Sequence, residues 1–202
     1  MLEIIITTLV ISLVGTIAHF LYDATNHNKF IGLFTAVNES TWEHIKIALT
    51  PMLLCGLYDG AVYGQNPNYF LAKFISLLIP IFIIPCIFYG YKSLSKKPIL
   101  LIDIFTFYLV IFFTQFAFKT IINLPAVPYI FEYIGSVGVF VVFGAYSVLT
   151  LMPLKLFIFK DPISKKYGFP AHTETFNIFK KEKIQITIPC LSRGSSKVRF
   201  IL

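Results

Sequence analysis

Apolar residues run in five long blocks along the chain, roughly Leu2 to Tyr22, Trp42 to Tyr63, Tyr69 to Tyr91, Ile99 to Ile122 and Ile130 to Phe159, with short polar stretches between them. A helix needs about 20 apolar residues to cross a hydrocarbon core of ~30 Å, and each block is that long. The pattern predicts an all-α integral membrane bundle of about five transmembrane helices, one domain over residues 1–160. The fifth block is the longest, and Pro153 followed by Lys155 predicts that its end lies along the membrane interface. From Asp161 onward the chain turns polar. Lys180, Lys181, Glu182 and Lys183 precede an alternating run of Ile184, Ile186 and Ile188, and Ser and Gly surround Arg193. This reads as a flexible tail over 161–202, with a weak amphipathic helix or short strand as the alternative. No repeat of 20 to 50 residues is present, and five spans do not divide into inverted halves.

Composition agrees with the pattern. Of the 202 residues 56% are hydrophobic and only 13% charged, with a mean hydropathy of +0.77, so lipid has to cover what a soluble domain would cover with polar side chains. The net charge of +7 comes from lysines set between and after the apolar blocks. They form no basic face for nucleic acid, and read as topology signals that attract anionic headgroups of the lipid bilayer. Lys92, Lys96 and Lys97 follow the third block, and Lys155 at the end of the fifth is followed by Lys160, Lys165 and Lys166, so the positive-inside rule makes both regions cytoplasmic. Counting single crossings gives N-out and C-in in the cell membrane. The loop Asp23 to Thr41, with Lys29 and nearby Lys46, is then also cytoplasmic, while 64–68 and 123–129 are outside. Cys55, Cys86 and Cys190 form no CxxC pair, so neither a disulfide framework nor a thiolate zinc site is expected. The first block has no basic leader, carries Glu3 and runs into His19 rather than a small-residue cleavage site, which predicts a retained helix.

Ionisable groups at membrane depth cost about 2.5–3.5 kcal/mol each on insertion scales, which makes them the residues to question. His19 and Asp23, four apart, share a face at the end of the first helix. The second helix begins on the same side with Asn38-Glu39-Ser40-Thr41-Trp42-Glu43-His44, and Asp103 lies near the same end of the fourth. His19, Asp23, Glu39, Glu43, His44 and Asp103 are thereby expected at one end of the bundle. Each also has a structural reading. Ser40-x-x-Glu43 fits a capping box, His19 with Asp23 fits an interfacial ion pair, and His44 and Trp42 fit interfacial anchors. Asn38-Glu39-Ser40 matches a glycosylation sequon but falls on the cytoplasmic side. Tyr58 and Asp59 sit ~21 Å further along the helix than His44 and belong to the other end. Gln115 and Lys119 read as neighbours' hydrogen-bond partners or a snorkelling pair, and Pro51, Pro80 and Pro85 as kinks within spans.

The segments His19-Phe-Leu-Tyr-Asp23 and Gly32-Leu-Phe-Thr-Ala-Val-Asn38-Glu39-Ser40-Thr-Trp42-Glu43-His44-Ile-Lys46 resemble a family of small bacterial membrane proteins of unknown function. The resemblance covers roughly residues 10–168. The Asn-Glu-Ser-x-Trp-Glu-His stretch is its specific part, and Lys160-Asp161-Pro162 and Lys166-Tyr167-Gly168 resemble the place where those proteins end. It implies membrane class and domain extent only, and the extension after Gly168 departs from it.

Three functions fit these residues. In a metal-assisted membrane hydrolase, His19, His44 and one of Asp23 or Asp103 bind a divalent ion such as zinc, with Glu43 or Glu39 as the base. No HExxH motif is present, and Glu43 and His44 point about 100° apart on a helix. In a small-solute transporter or substrate-binding subunit the same groups hold solute or relay protons, and five helices would call for a homo-oligomer or a membrane-protein partner. In a scaffold the cluster only holds the first two helices and their loop together. Nothing supports a nucleotide or flavin, since phosphate-binding glycine loops and dinucleotide fingerprints are absent.

Overall fold

A computed structural model describes residues 1–95 and 99–171 of the chain. The topology signals Lys96 and Lys97, and the tail readings at 180–188, Cys190 and Arg193, lie outside the described residues. The elements in order are helices α1 (Leu2–Ala24), α2 (Lys29–Gly32), α3 (Thr41–Tyr63), α4 (Tyr69–Ser95), α5 (Leu100–Ile122) and α6 (Tyr129–Leu151), then a 3-10 turn at Phe157–Phe159. Among the described residues there is no strand, only an isolated antiparallel bridge between Lys160 and Tyr167. All except α2 are 23 to 27 residues long and apolar enough to cross a membrane. The protein is an all-α, multi-pass membrane bundle with five candidate spans. The fifth span is shorter than its apolar block. It stops at Leu151, because Pro153 cannot continue the hydrogen-bond ladder, and the chain after it folds back over the end of the bundle.

Helix α3 is the centre of the bundle, with 50% of its most apolar window buried against 22–33% for the other four. Its Ile45, Leu49 and Met52 meet Ile11 of α1, Leu77 of α4, Ile111 of α5 and Tyr146 of α6 in one core cluster. Close approach is built in at two crossings. Pro51 leaves the carbonyl of Ile47 without its helical donor, and α1 passes that oxygen at Gly15, where a Cβ would stand 2.6 Å from it. On α6, Gly135 lets α4 approach so closely that a Cβ there would lie 2.4 Å from the amide nitrogen of Leu71. One turn earlier Glu132 accepts from the amides of Phe70 (2.8 Å) and Leu71 (3.0 Å). These are two of the donors that the start of α4 leaves free, so α6 both packs against α4 and caps it.

Two ion pairs join neighbouring spans, as burial in a low dielectric favours. Lys73 of α4 reaches Asp59 of α3 at 2.7 Å and the carbonyl of Met52 at 2.9 Å. Lys119 of α5 pairs with Glu3 of α1 at 2.5 Å and donates to Tyr63, whose hydroxyl donates to Glu3 at 2.7 Å. Asp59 and Lys119 thus serve helix-to-helix packing at the end of the bundle away from His19.

Candidate functional site

Three chain segments meet at the other end. His19 lies on the last turns of α1. After Ala24 the chain reverses through Asn26 and His27, both in the left-handed region (φ 51 and 61), and Asn28 caps the short α2 by accepting from Phe30 at 2.9 Å. A loop then leads to Thr41, where α3 begins, and His44 sits on the first turn of α3.

That loop is held from both sides. On the inner side Glu43 accepts from the amide of Val37 at 3.0 Å and pairs with Lys46 at 2.6 Å, and Lys46 donates to the carbonyl of Gly32 at 2.8 Å. Thr50 adds a bond to the carbonyl of Phe34 at 2.7 Å. On the outer side the folded-back segment takes over. Asn38 donates to the carbonyl of Gly168 at 3.1 Å, and Asp161 accepts the amide of Glu39 at 3.2 Å. The other oxygen of Asp161 takes the amide and the hydroxyl of Ser164, both at 2.6 Å. With its backbone fixed this way, Glu39 projects its carboxylate between the two imidazoles.

The Glu39 Oε1 stands 3.9 Å from His19 Nε2, and Oε2 stands 3.8 Å from His44 Nε2. The two rings are 5.5 Å apart between centroids, and one ligand atom from each of the three residues lies within 4.8 Å of the others. Separations of 3.8–3.9 Å are too long for hydrogen bonds. They are about 0.5 Å wider than the ~3.3 Å edge of a zinc tetrahedron with bonds of 2.0–2.1 Å. The donor atoms of the three residues lie up to 4.8 Å apart, so drawing them to that edge takes movement of the imidazoles as well as of Glu39. His44 Nδ1 lies 2.9 Å from the carbonyl of Ser40, and donation there leaves the Nε2 lone pair directed at the cluster. His19 Nδ1 is buried without a protein hydrogen-bond partner. The side chains are 24% (His19), 37% (His44) and 45% (Glu39) exposed, so an ion held by all three would keep a coordination position open.

The structure brings His19, Glu39 and His44 together and leaves the other expected residues outside the cluster. Asp23 turns to His27, at 3.3 Å. Asp103 falls in the first turn of α5, where it accepts from the hydroxyl of Tyr91 at 2.5 Å. Glu43 faces inward, 2% exposed, and is neither half of a capping box nor open to substrate. Ser40 is the N-cap of α3 without a side-chain cap bond, and its amide goes to Asn38 at 2.9 Å. Lys46 is fully buried and cannot act as a headgroup contact. Trp42 is buried too, its ring 5.0 Å from that of Phe159 rather than at the lipid interface. Asp161 was missed as a positioning group because its target, Glu39, lies 122 residues earlier. No local pattern carries that contact.

A five-span bundle with two imidazoles and one carboxylate converging at one end is the class of protein that fold and site define. Residues 2–169 match the model of a family of unknown function (DUF6512), and the chain belongs to that family. No curated protein and no solved structure matches it.

Proposed function

We propose that this protein is a metal-dependent membrane hydrolase whose divalent ion is held by His19, Glu39 and His44. The observation that supports it most is the convergence of one ligand atom from each of three segments, α1, the loop and α3, to within 4.8 Å at a half-exposed place. Two histidines and a carboxylate with an open fourth position make up a donor set suited to catalytic zinc. Such an ion supplies Lewis acidity, polarising an ester, amide or phosphoryl oxygen and acidifying a water. The chain's own residues fix the geometry. Ser40 sets the His44 tautomer, and Asp161 and Asn38 anchor the backbone on either side of the Glu39 side chain. The assignment differs from the sequence expectation in making Glu39 a ligand, with Asp23 and Asp103 outside the ligand set.

Transport receives less support. Glu43 with Lys46, Asp59 with Lys73, and Glu3 with Lys119 are already paired inside the spans, which suits packing better than a path for solute or protons. The site end also carries Lys29, Lys92, Lys155, Lys160, Lys165 and Lys166 on or beside it. By the positive-inside rule that end is cytoplasmic, giving N-out and C-in in the cell membrane. The activity is tested by presenting the purified protein with chromogenic carboxylic and phosphoric esters, with and without a chelator. Turnover that is lost with chelator, returns with zinc, and is missing from His44→Ala is expected. Turnover unaffected by chelator would contradict the proposal.

A further inference from the structure

Beside the cluster, Glu39 also forms one wall of a surface groove of about 320 Å³. Its other walls come from Thr41 and from Tyr89 and Lys92 near the end of α4, and from Phe157, Lys160 and Lys165 after α6. Three lysines thus face a groove that contains only two carboxylates. One of these, Asp161, already accepts from Glu39 and Ser164. Lys92 packs its ammonium over the ring of Phe88 at 5.0 Å, Lys165 donates to the carbonyl of Pro162 at 2.5 Å, and the hydroxyls of Thr41 and Tyr89 lie 2.8 Å apart. The groove therefore offers ammonium and hydroxyl donors around a cavity, with an excess of positive charge next to the carboxylate assigned to the metal.

Resting on that assignment, we propose that the groove binds the phosphate group of the substrate and presents it to the ion held by His19, Glu39 and His44. A phosphate carries up to two charges and acceptor oxygens pointing in several directions, so it balances and spans three lysines better than a single carboxylate does. The surroundings name the source. Phe157 is 71% exposed at the groove, its ring 5.1 Å from that of Tyr89, and the adjoining Met152, Leu154 and Leu156 are 74%, 51% and 51% exposed. An apolar rim of this kind at the end of a membrane bundle suits a phosphate attached to an acyl chain rather than a soluble ion.

The test measures binding to the full-length protein in phosphatidylcholine nanodiscs, in chelator, so that the result does not depend on the ion. The probes are dihexanoyl phosphatidic acid, dihexanoyl phosphatidylcholine and inorganic phosphate. Lys92→Gln, Lys160→Gln and Lys165→Gln are each expected to weaken phosphatidic acid binding about two- to five-fold, and the triple variant at least about tenfold. Lys155→Gln, outside the groove, leaves it unchanged. Inorganic phosphate competing weakly supports a lipid source, and phosphate binding as tightly as the lipid supports a soluble one. A triple variant that binds like the wild type, or equal loss in Lys155→Gln, overturns the proposal. Metal content, measured on the same proteins after zinc reconstitution and desalting without chelator, tells the two failures apart. Metal without lysine-dependent binding removes the groove alone, and lysine-dependent binding without metal removes the ion.

Discussion

Replacing Lys46 with methionine is expected to destabilise the protein more than replacing Lys46 and Glu43 together. In the wild type the Glu43 carboxylate, 2.6 Å from Lys46 Nζ, also accepts from Val37, and both side chains are buried. Lys46→Met removes the cation and strands the carboxylate, a change that costs about 3–5 kcal/mol. At about 2–4 °C per kcal/mol for a chain of this size, the midpoint should fall by about 6–20 °C. In Glu43→Gln/Lys46→Met the amide oxygen still accepts from Val37 and no charge is left behind. The remaining loss is the donor to the Gly32 carbonyl, about 1–3 kcal/mol. The double variant should thus recover about 2 kcal/mol, or about 4–8 °C, relative to the single one. Thermal unfolding in detergent can be followed by the fluorescence of Trp42, the only tryptophan, which is buried against Phe159 and reports the site end of the bundle. A Lys46→Met midpoint within about 2 °C of wild type, or a double variant no better than the single, would refute a buried pair that holds the loop.

Gly135→Ala should destabilise by about 1–3 kcal/mol, since its methyl would press on the α4 backbone at Leu71. Gly144→Ala on the same helix meets no atom within 4 Å and should be neutral or stabilising by up to about 1 kcal/mol; equal midpoints for the two would contradict the close α4–α6 crossing. Asp161→Ala releases the amide of Glu39 and the 161–164 turn, and should weaken zinc binding by about tenfold, while Asp161→Asn, which keeps an acceptor oxygen, should lose less. Calorimetric zinc titration separates these, and equal affinities in both variants and wild type would remove Asp161 as a positioning residue.

The spans were legible because lipid sets a length that apolar blocks must meet, but the end of the fifth was not, since its apolar block runs on to Phe159 while the helix stops at Leu151 ahead of Pro153. His19 and His44 were legible as well, since single crossings place a helix end and the next helix start on one side of the bundle. Glu39 was harder. It sits in a loop, where no helical period fixes the side-chain direction, and its aim depends on Asp161 and Gly168 far along the chain. Glu43 and Lys46 are three apart on one helix, a spacing that brings side chains together. Yet whether their shared face met lipid headgroups or the core depended on α2 and the loop folding beneath α3. Trp42 is the same case, covered by Phe159 across 117 residues of sequence, which no local pattern can show.

The most direct measurement is metal content by mass spectrometry after chelator stripping, zinc reconstitution and desalting, on folded wild type and five variants. About one zinc per chain is expected in wild type, Asp23→Asn and Asp103→Asn, and about one tenth or less in His19→Ala, Glu39→Ala and His44→Ala. Wild-type protein that retains no metal, or a Glu39→Ala variant that keeps its zinc while Asp23→Asn loses it, would contradict the site built from His19, Glu39 and His44.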